Sequence, residues 1–162
     1  MKKNKRNFFI VLAVVVLAVG LLGYRNFFSR GGESGKPSCI GPGPVNFHIH
    51  PQFKAVIAGE TVPVPPNIGI EPLGCHRVLH THNPEPDETD GFRKIHVESN
   101  FQKDFTLGDF FKVWEKPFSP TELLDCRGEV KMTVDDTPKD DYANLVLKDK
   151  QHIVLECGTV SE

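Results

Sequence analysis

Methionine is scarce in this chain, and acidic residues are missing from its first 30 positions. Only two methionines occur, Met1 and Met132. Copper(I) carriers draw on soft thioether or thiolate ligands, so this scarcity points away from copper(I). No Asp or Glu occurs among the first 30 residues, which hold six of the 19 Lys+Arg. The remainder carries 13 basic side chains against all 21 acidic ones, a net charge of −8. Such a balance argues against nucleic acid and anionic lipid as ligands of that part, and favours cations. The chain has no P-loop, no G-x-S-x-G elbow and no dinucleotide fingerprint, which removes the commonest signatures of nucleotide and hydrolase chemistry. Internal repeats are also absent.

The most prominent feature present is an uncharged apolar run, FFIVLAVVVLAVGLLG, from Phe8 to Gly23. Extended to Phe28, with Arg25 reaching the head groups, it meets the roughly 20 apolar residues that a helix needs to cross a bilayer. Lys2, Lys3, Lys5 and Arg6 precede it, so the positive-inside rule places everything after residue 30 outside the cytoplasm. The alternative is a cleaved signal peptide, but no clear small-x-small cleavage site follows the run. Cys39 lies too far beyond it to be a lipid-modified residue. The expected organisation is a cytoplasmic basic tip and anchor over 1–28, a Gly/Pro/Ser linker over 29–46 and one extracytoplasmic domain over 47–162.

Four cysteines, Cys39, Cys75, Cys126 and Cys157, all follow the anchor. An even number in an oxidising compartment points to two disulfides. Three pairings are possible, and Cys39–Cys75 with Cys126–Cys157 is our expectation. Because Cys75 adjoins His76, a thiolate metal ligand is the competing reading.

The pattern from Phe47 to Ile57 alternates as a strand does, and Ala58-Gly59-Glu60 forms a turn into a second strand over Thr61 to Val64. Pro63, Pro65 and Pro66 confine that strand to an edge. Asn67 to Gly74 is a loop, His76 to His82 is extended or irregular, and Lys94 to Glu98 is a short strand. The acidic loop between them (Glu85, Asp87, Glu88, Asp90) lacks the ligand spacing of a calcium loop and is read as solvated. Thr106 to Glu115 is the one strong helix. Thr106 is its N-cap, Asp109 takes the capping-box position, and Leu107, Phe110, Phe111 and Trp114 make one apolar face that should be buried. Ser119 to Glu122 reads as a second short helical turn, with Pro120 at its first position. Val130 to Val134 is a strand, and Leu145 to Leu147 with His152 to Cys157 a hairpin. The expected fold is α+β: a small mixed β-sheet with one main amphipathic helix, similar to a β-grasp, preceded by a single N-terminal transmembrane helix.

Six of the seven histidines lie between His48 and His96. Two H-x-H pairs stand out, His48-Ile49-His50 and His80-Thr81-His82. On extended backbone, residues i and i+2 point to one face, so each pair offers two imidazoles side by side. Neutral imidazole is the commonest protein ligand for late first-row metals. The expected metal ligands are His80, His82 and His50, followed by His48 and His96. His76 is spare beside a disulfide, and His152 is solvated.

The blocks HIHPQFKAVIAGETVPVPPNIGI, CHRVLHTH, GFRKIHVES and FTLGDFFKVW resemble a little-characterised group of exported or membrane-anchored bacterial and archaeal proteins. That group's pattern runs H-x-H, IP-x-NIGI, C-x4-H-T-H-D, G-x-IHVES and T-L-G-D-F-F, and the match covers residues 46 to 116. Asn83 stands where the pattern has Asp, and PEPDETDGFRK lengthens the loop before His96. No activity attaches to the group, so the resemblance implies motif blocks and a location rather than a reaction.

Three functions follow. The first is a membrane-anchored extracytoplasmic domain that carries or senses zinc or copper. The second is a small metalloenzyme with a three-histidine site, in which Glu98 or Glu85 accepts a proton. The third is a metal-free, disulfide-stabilised interaction domain. A cupin would also use H-x-H with a later Glu and His, but needs more strands than the sequence offers. Copper(II) or zinc is favoured over copper(I), and any protein partner is unspecified.

Overall fold

The computed structural model of the protein describes residues 35–158, within which a compact unit begins at Lys36. The expected anchor over Phe8–Phe28 lies outside the described residues. Among the described residues no helix is long and apolar enough to cross a membrane.

The centre of the fold is a pair of parallel strands far apart in sequence. β2 (Gln52–Ile57) and β12 (His152–Cys157) pair from His152↔Gln52 to Cys157↔Ile57. Both alternate, with Phe53, Ala55, Ile153 and Leu155 entirely buried, as period-2 strands on a core require. β10 (Val130–Val134) joins β12 on its other side, burying Val130, Met132 and Val134. Two tight hairpins extend the sheet. β2 turns through Ala58 and Gly59 into β3 (Glu60–Val62), and β10 turns through Asp135 and Asp136 into β11 (Thr137–Lys139). All four turn residues have φ between +49° and +81°, the left-handed geometry that suits two-residue hairpins.

A second, three-stranded antiparallel sheet has β6 (His96–Ser99) between β1 (Phe47–Ile49) and β4 (Leu79–His80). Two chain segments run from one sheet into the other. The stretch read as a single strand over Phe47–Ile57 breaks after Ile49, where Pro51 has no N–H to donate, and resumes as β2. The second crossing goes through Ile95, between β5 (Arg93–Lys94), which pairs with β2, and β6. The amide of Ile95 donates to the Pro51 carbonyl at 2.8 Å, which ties the two crossings together. A third small sheet comprises β7 (Phe118–Ser119), β8 (Glu122–Leu123) and β9 (Cys126–Arg127).

The expected α+β, β-grasp-like architecture is therefore incorrect. Among the described residues the fold is mostly β, with three sheets and one eight-residue helix, α1 (Leu107–Trp114), beside a 3-10 turn at Tyr142–Asn144. Many of its strands are two or three residues long, too short for an alternating pattern to register. Ser119–Glu122 is a hairpin rather than a helical turn. Pro120 and Thr121 form its bend, and the carbonyl of Pro120 accepts from the Val130 amide. The expected C-terminal hairpin is also absent. Leu145–Leu147 bridges to the chain before α1 (Thr106↔Val146), while β12 pairs with β10 and β2.

The helix itself follows the sequence closely. Thr106 and Asp109 form a reciprocal capping box, and Glu115 closes the end in a left-handed conformation. Phe110 and Phe111 meet Phe53 with ring centroids 6.0 and 5.6 Å apart. Trp114, expected on the buried face, is only half-buried, and Val113 is buried instead.

Cys39 pairs with Cys75 and Cys126 with Cys157, leaving no free cysteine among the described residues, so the thiolate reading of Cys75 fails. The first bridge joins residues assigned to the linker to the small sheet's surroundings. There the amide of Ile40 donates to the His76 carbonyl, and that of Val78 to the Ser38 carbonyl.

Candidate metal centre

The small sheet has two unlike faces. One carries Phe47, Ile49, Leu79 and Val97 into the core. Strand alternation sends His48, His80, His96 and Glu98 to the other. The register aligns His80 with His96, and His48 with Glu98, across the central strand. His50 and His82 continue the same face just past β1 and β4. All five expected ligands thus meet. The rings of His48 and His50 lie 4.3 Å apart, those of His50 and His96 4.7 Å, those of His82 and His96 4.5 Å, and those of His80 and His82 4.8 Å.

Two triads have ligand atoms within 4.8 Å of one another: His48, His50 and His96, and His80, His82 and His96. His96, placed last by sequence, is the member common to both.

The local chain explains why the rings are held. Thr81 points inward and is entirely buried. Its hydroxyl donates to the Pro65 carbonyl at 3.0 Å and accepts from the Ile68 amide at 3.1 Å. Gly69 lies against the same strand with φ +73°, and a Cβ there would sit 2.4 Å from the Leu79 carbonyl oxygen and 3.2 Å from His80 Cβ. The segment Pro65–Gly69 thus presses the H-T-H pair into place.

Hydrogen bonds fix the tautomers of two rings. His80 Nδ1 lies 2.8 Å from the Arg77 carbonyl oxygen, which can only accept, so Nδ1 carries the hydrogen and Nε2 keeps a lone pair. That Nε2 is 3.2 Å from His82 Nε2. A tetrahedral ion with metal–nitrogen distances of about 2.0–2.1 Å separates its ligand nitrogens by about 3.3–3.4 Å, so the pair already has the spacing of one coordination edge.

His96 is the more telling case. Its Nε2 lies 2.9 Å from Glu85 Oε1. The Glu85 carboxyl is held at a pKa of about 2, first by its hydrogen bond from Lys94, against the opposing effect of burial and with further help from His96. An ionised carboxylate accepts, so His96 Nε2 is the protonated nitrogen and Nδ1 has the lone pair. That Nδ1 is buried and has no hydrogen-bond partner. An unpaired buried acceptor costs about 1–3 kcal/mol, a cost that a bound cation removes. A histidine with one nitrogen tied to a carboxylate and the other free is also the usual arrangement around a bound metal.

Glu98 stands among the rings. Its Oε1 is 3.0 Å from His48 Nε2, 3.7 Å from His96 Nδ1 and 4.0 Å from His80 Nε2. Burial pushes the pKa of His80 down to about 4 against the pull of the Arg77 hydrogen bond, and lowers those of His50 and His82 in the same way, with neighbouring imidazoles adding to the effect. Such rings stay neutral and able to donate lone pairs at ordinary pH.

Sequence reasoning missed two roles. The acidic loop read as solvated is stapled over the site: Lys94 Nζ contacts Glu85 at 2.6 Å and Asp87 at 2.8 Å, and Arg93 reaches Glu88 at 2.8 Å. Glu85, expected as a solvated loop residue or a proton acceptor, is the partner that orients His96. The lengthened spacing before His96 was the available signal. His76, set aside as spare, lies at the rim with its ring 5.7 Å from that of His80. His152 is exposed and rests against Phe92, ring centroids 5.1 Å apart, away from the cluster.

Comparison of the chain with protein-family models, with curated proteins and with solved structures gives no match. The domain therefore stands on its own geometry: a disulfide-bonded, mostly β unit with two histidine triads able to hold a metal ion.

Proposed function

We propose that this protein binds a divalent transition metal, zinc or copper(II), in an extracytoplasmic domain held at the membrane by its N-terminal segment, and acts as a metal carrier or sensor. The observation that carries the reading is the His96 ring, oriented by Glu85 through Nε2 and presenting a buried, unpaired Nδ1 to four other imidazoles. All-nitrogen donors with a carboxylate suit zinc and copper(II), whereas copper(I) prefers sulfur. The two disulfides agree with an oxidising compartment.

Support comes from four sequence blocks of this chain that border the site. His48-Ile49-His50 spans the end of β1, Asn67–Ile70 underlies Thr81, His80-Thr81-His82 starts on the last residue of β4, and Ile95–Ser99 contains β6.

One observation favours a metalloenzyme as a second reading: Glu98 Oε1 lies within 4.0 Å of three ring nitrogens, where a general base for a bound water belongs.

Elemental analysis of the full-length chain, purified in detergent without a histidine tag and exposed to zinc or copper(II), tests the proposal. About one tightly held ion per chain is expected at a preformed three-histidine site. Retention of neither metal after dialysis contradicts it. A reporter fused after Glu162 should be active only outside the cytoplasm, and cytoplasmic activity would refute the assigned location.

A further inference from the structure

The two triads differ in their surroundings. The side chains of His48 and His50 are 45% and 34% exposed, whereas that of His80 is 1% exposed. His96 lies between them, its side chain 10% exposed, and belongs to both. Since its Nε2 is engaged with Glu85, only Nδ1 is available, and one lone pair binds one ion at a time. The two triads are therefore mutually exclusive as three-histidine sites, although their rings are neighbours.

They are also unequally preorganised. The His80 ring is locked by the Arg77 carbonyl and backed by the close-packed Gly69. His48 is held by Glu98 alone at 3.0 Å, and His50 lies 3.9 Å from Asp149 Oδ1. Rings already fixed lose less freedom on binding, so the inner position is the tighter one. The outer position is the one that solvent reaches.

We propose that this face is a two-position transfer path for a single divalent ion, captured at His48 and His50 and passed to His80 and His82 while His96 Nδ1 remains bound. The proposal rests on the metal-binding reading above. In the transfer, two metal–nitrogen bonds to the outer pair break and two to the inner pair form; the hydrogen that His82 Nε2 directs at His80 Nε2 moves to His82 Nδ1, and no electron is exchanged. The Glu98 carboxylate faces both positions, since its Oε1 lies 3.0 Å from His48 Nε2 and 4.0 Å from His80 Nε2. It can offset one of the ion's two charges throughout.

The test is stopped-flow loading of the full-length chain in detergent with cobalt(II), read by visible absorption, together with zinc(II) stoichiometry. One ion per chain is expected, with a fast first phase followed by a slower change of ligand field. Replacing the outer pair (His48→Ala with His50→Ala) should slow loading and release by about tenfold or more while equilibrium affinity falls less than about threefold. Replacing the inner pair (His80→Ala with His82→Ala) should keep the fast phase and lose the tight one. His82→Gln, at a half-buried position, gives the same answer if the inner double variant fails to fold. Two ions per chain, or an affinity loss from the outer pair as large as from the inner pair, would overturn the transfer path while leaving metal binding intact. No ion bound by the unaltered protein overturns the metal reading and the path together.

Discussion

The six-stranded and the three-stranded sheets bury similar residues on their core faces but differ on the opposite one. In the large sheet the other face holds Lys54, Lys131, Thr133 and Glu156, half-buried or exposed side chains that water can satisfy. In the small sheet it holds imidazoles packed on one another, two of them buried, and one has an unpaired nitrogen. Apolar burial on the inner faces stabilises both sheets, at about 1.5–3 kcal/mol per fully buried large side chain. The histidine face adds little of that kind, and its unpaired nitrogen opposes folding. A surface arranged at the expense of stability is best explained by what it binds. The large sheet is thus the scaffold and the small sheet the site, and substitutions in the two regions should separate stability from binding.

The largest stability effect is expected in the scaffold. Phe111→Ala removes a ring packed on Phe53 and Phe118 and should cost about 3–5 kcal/mol in chemical denaturation. The half-buried Trp114 should cost less on the same change. Either variant, while folded, should bind metal with unchanged stoichiometry, and a loss of sites in step with stability would erase the distinction between scaffold and site.

Glu85→Gln should do the reverse. It keeps the shape but removes the charge that fixes the His96 tautomer, and should weaken metal binding by about 10–100-fold, a larger change than its effect on the denaturation midpoint, where Lys94 keeps Asp87 as a partner. An unchanged affinity on isothermal titration would mean that Glu85 plays no part.

Acid should separate the regions as well. The folded pKa of His80 is depressed from 6.5 to about 4 by burial. Above pH 6.5 the ring is neutral in both folded and unfolded chains, so its stability contribution is fully present. As pH falls from 6.5 to 4 the unfolded chain takes up a proton that the folded ring refuses, and stability declines by about 3 kcal/mol. His80→Gln should flatten the pH dependence of the denaturation midpoint in that window, and an unaltered slope would contradict the burial argument.

The smallest effect belongs to His152. It lies outside the cluster, and His152→Ala should change metal affinity by less than about twofold and stability by less than about 0.5 kcal/mol.

The parts of this fold legible in the sequence are those whose signal is local. The α1 cap, the Ala58-Gly59 turn and the same-face geometry of each H-x-H pair depend on residues within four positions of one another. The cysteine pairing was reached only as one choice among three. What escaped depends on distant partners. Phe118–Ser119 and Cys126–Arg127 are strands only because neighbours lie beside them, and the parallel pairing of β2 with β12 joins segments about a hundred residues apart. His96 was ranked low because it has no H-x-H partner. Its importance comes from lying on β6 between β1 and β4, and sequence spacing does not reveal that order.

The central claim is that His96 binds metal through Nδ1 while Glu85 holds Nε2. Long-range nitrogen–proton correlation spectra of the histidine rings, recorded on the full-length chain in detergent before and after zinc addition, test it most directly. The prediction is that His96 Nε2 keeps its proton throughout, while His96 Nδ1 and His80 Nε2 move from free lone pairs to metal-bound nitrogens. Ring signals unchanged by zinc, or a metal-bound Nε2 on His96, would contradict the account.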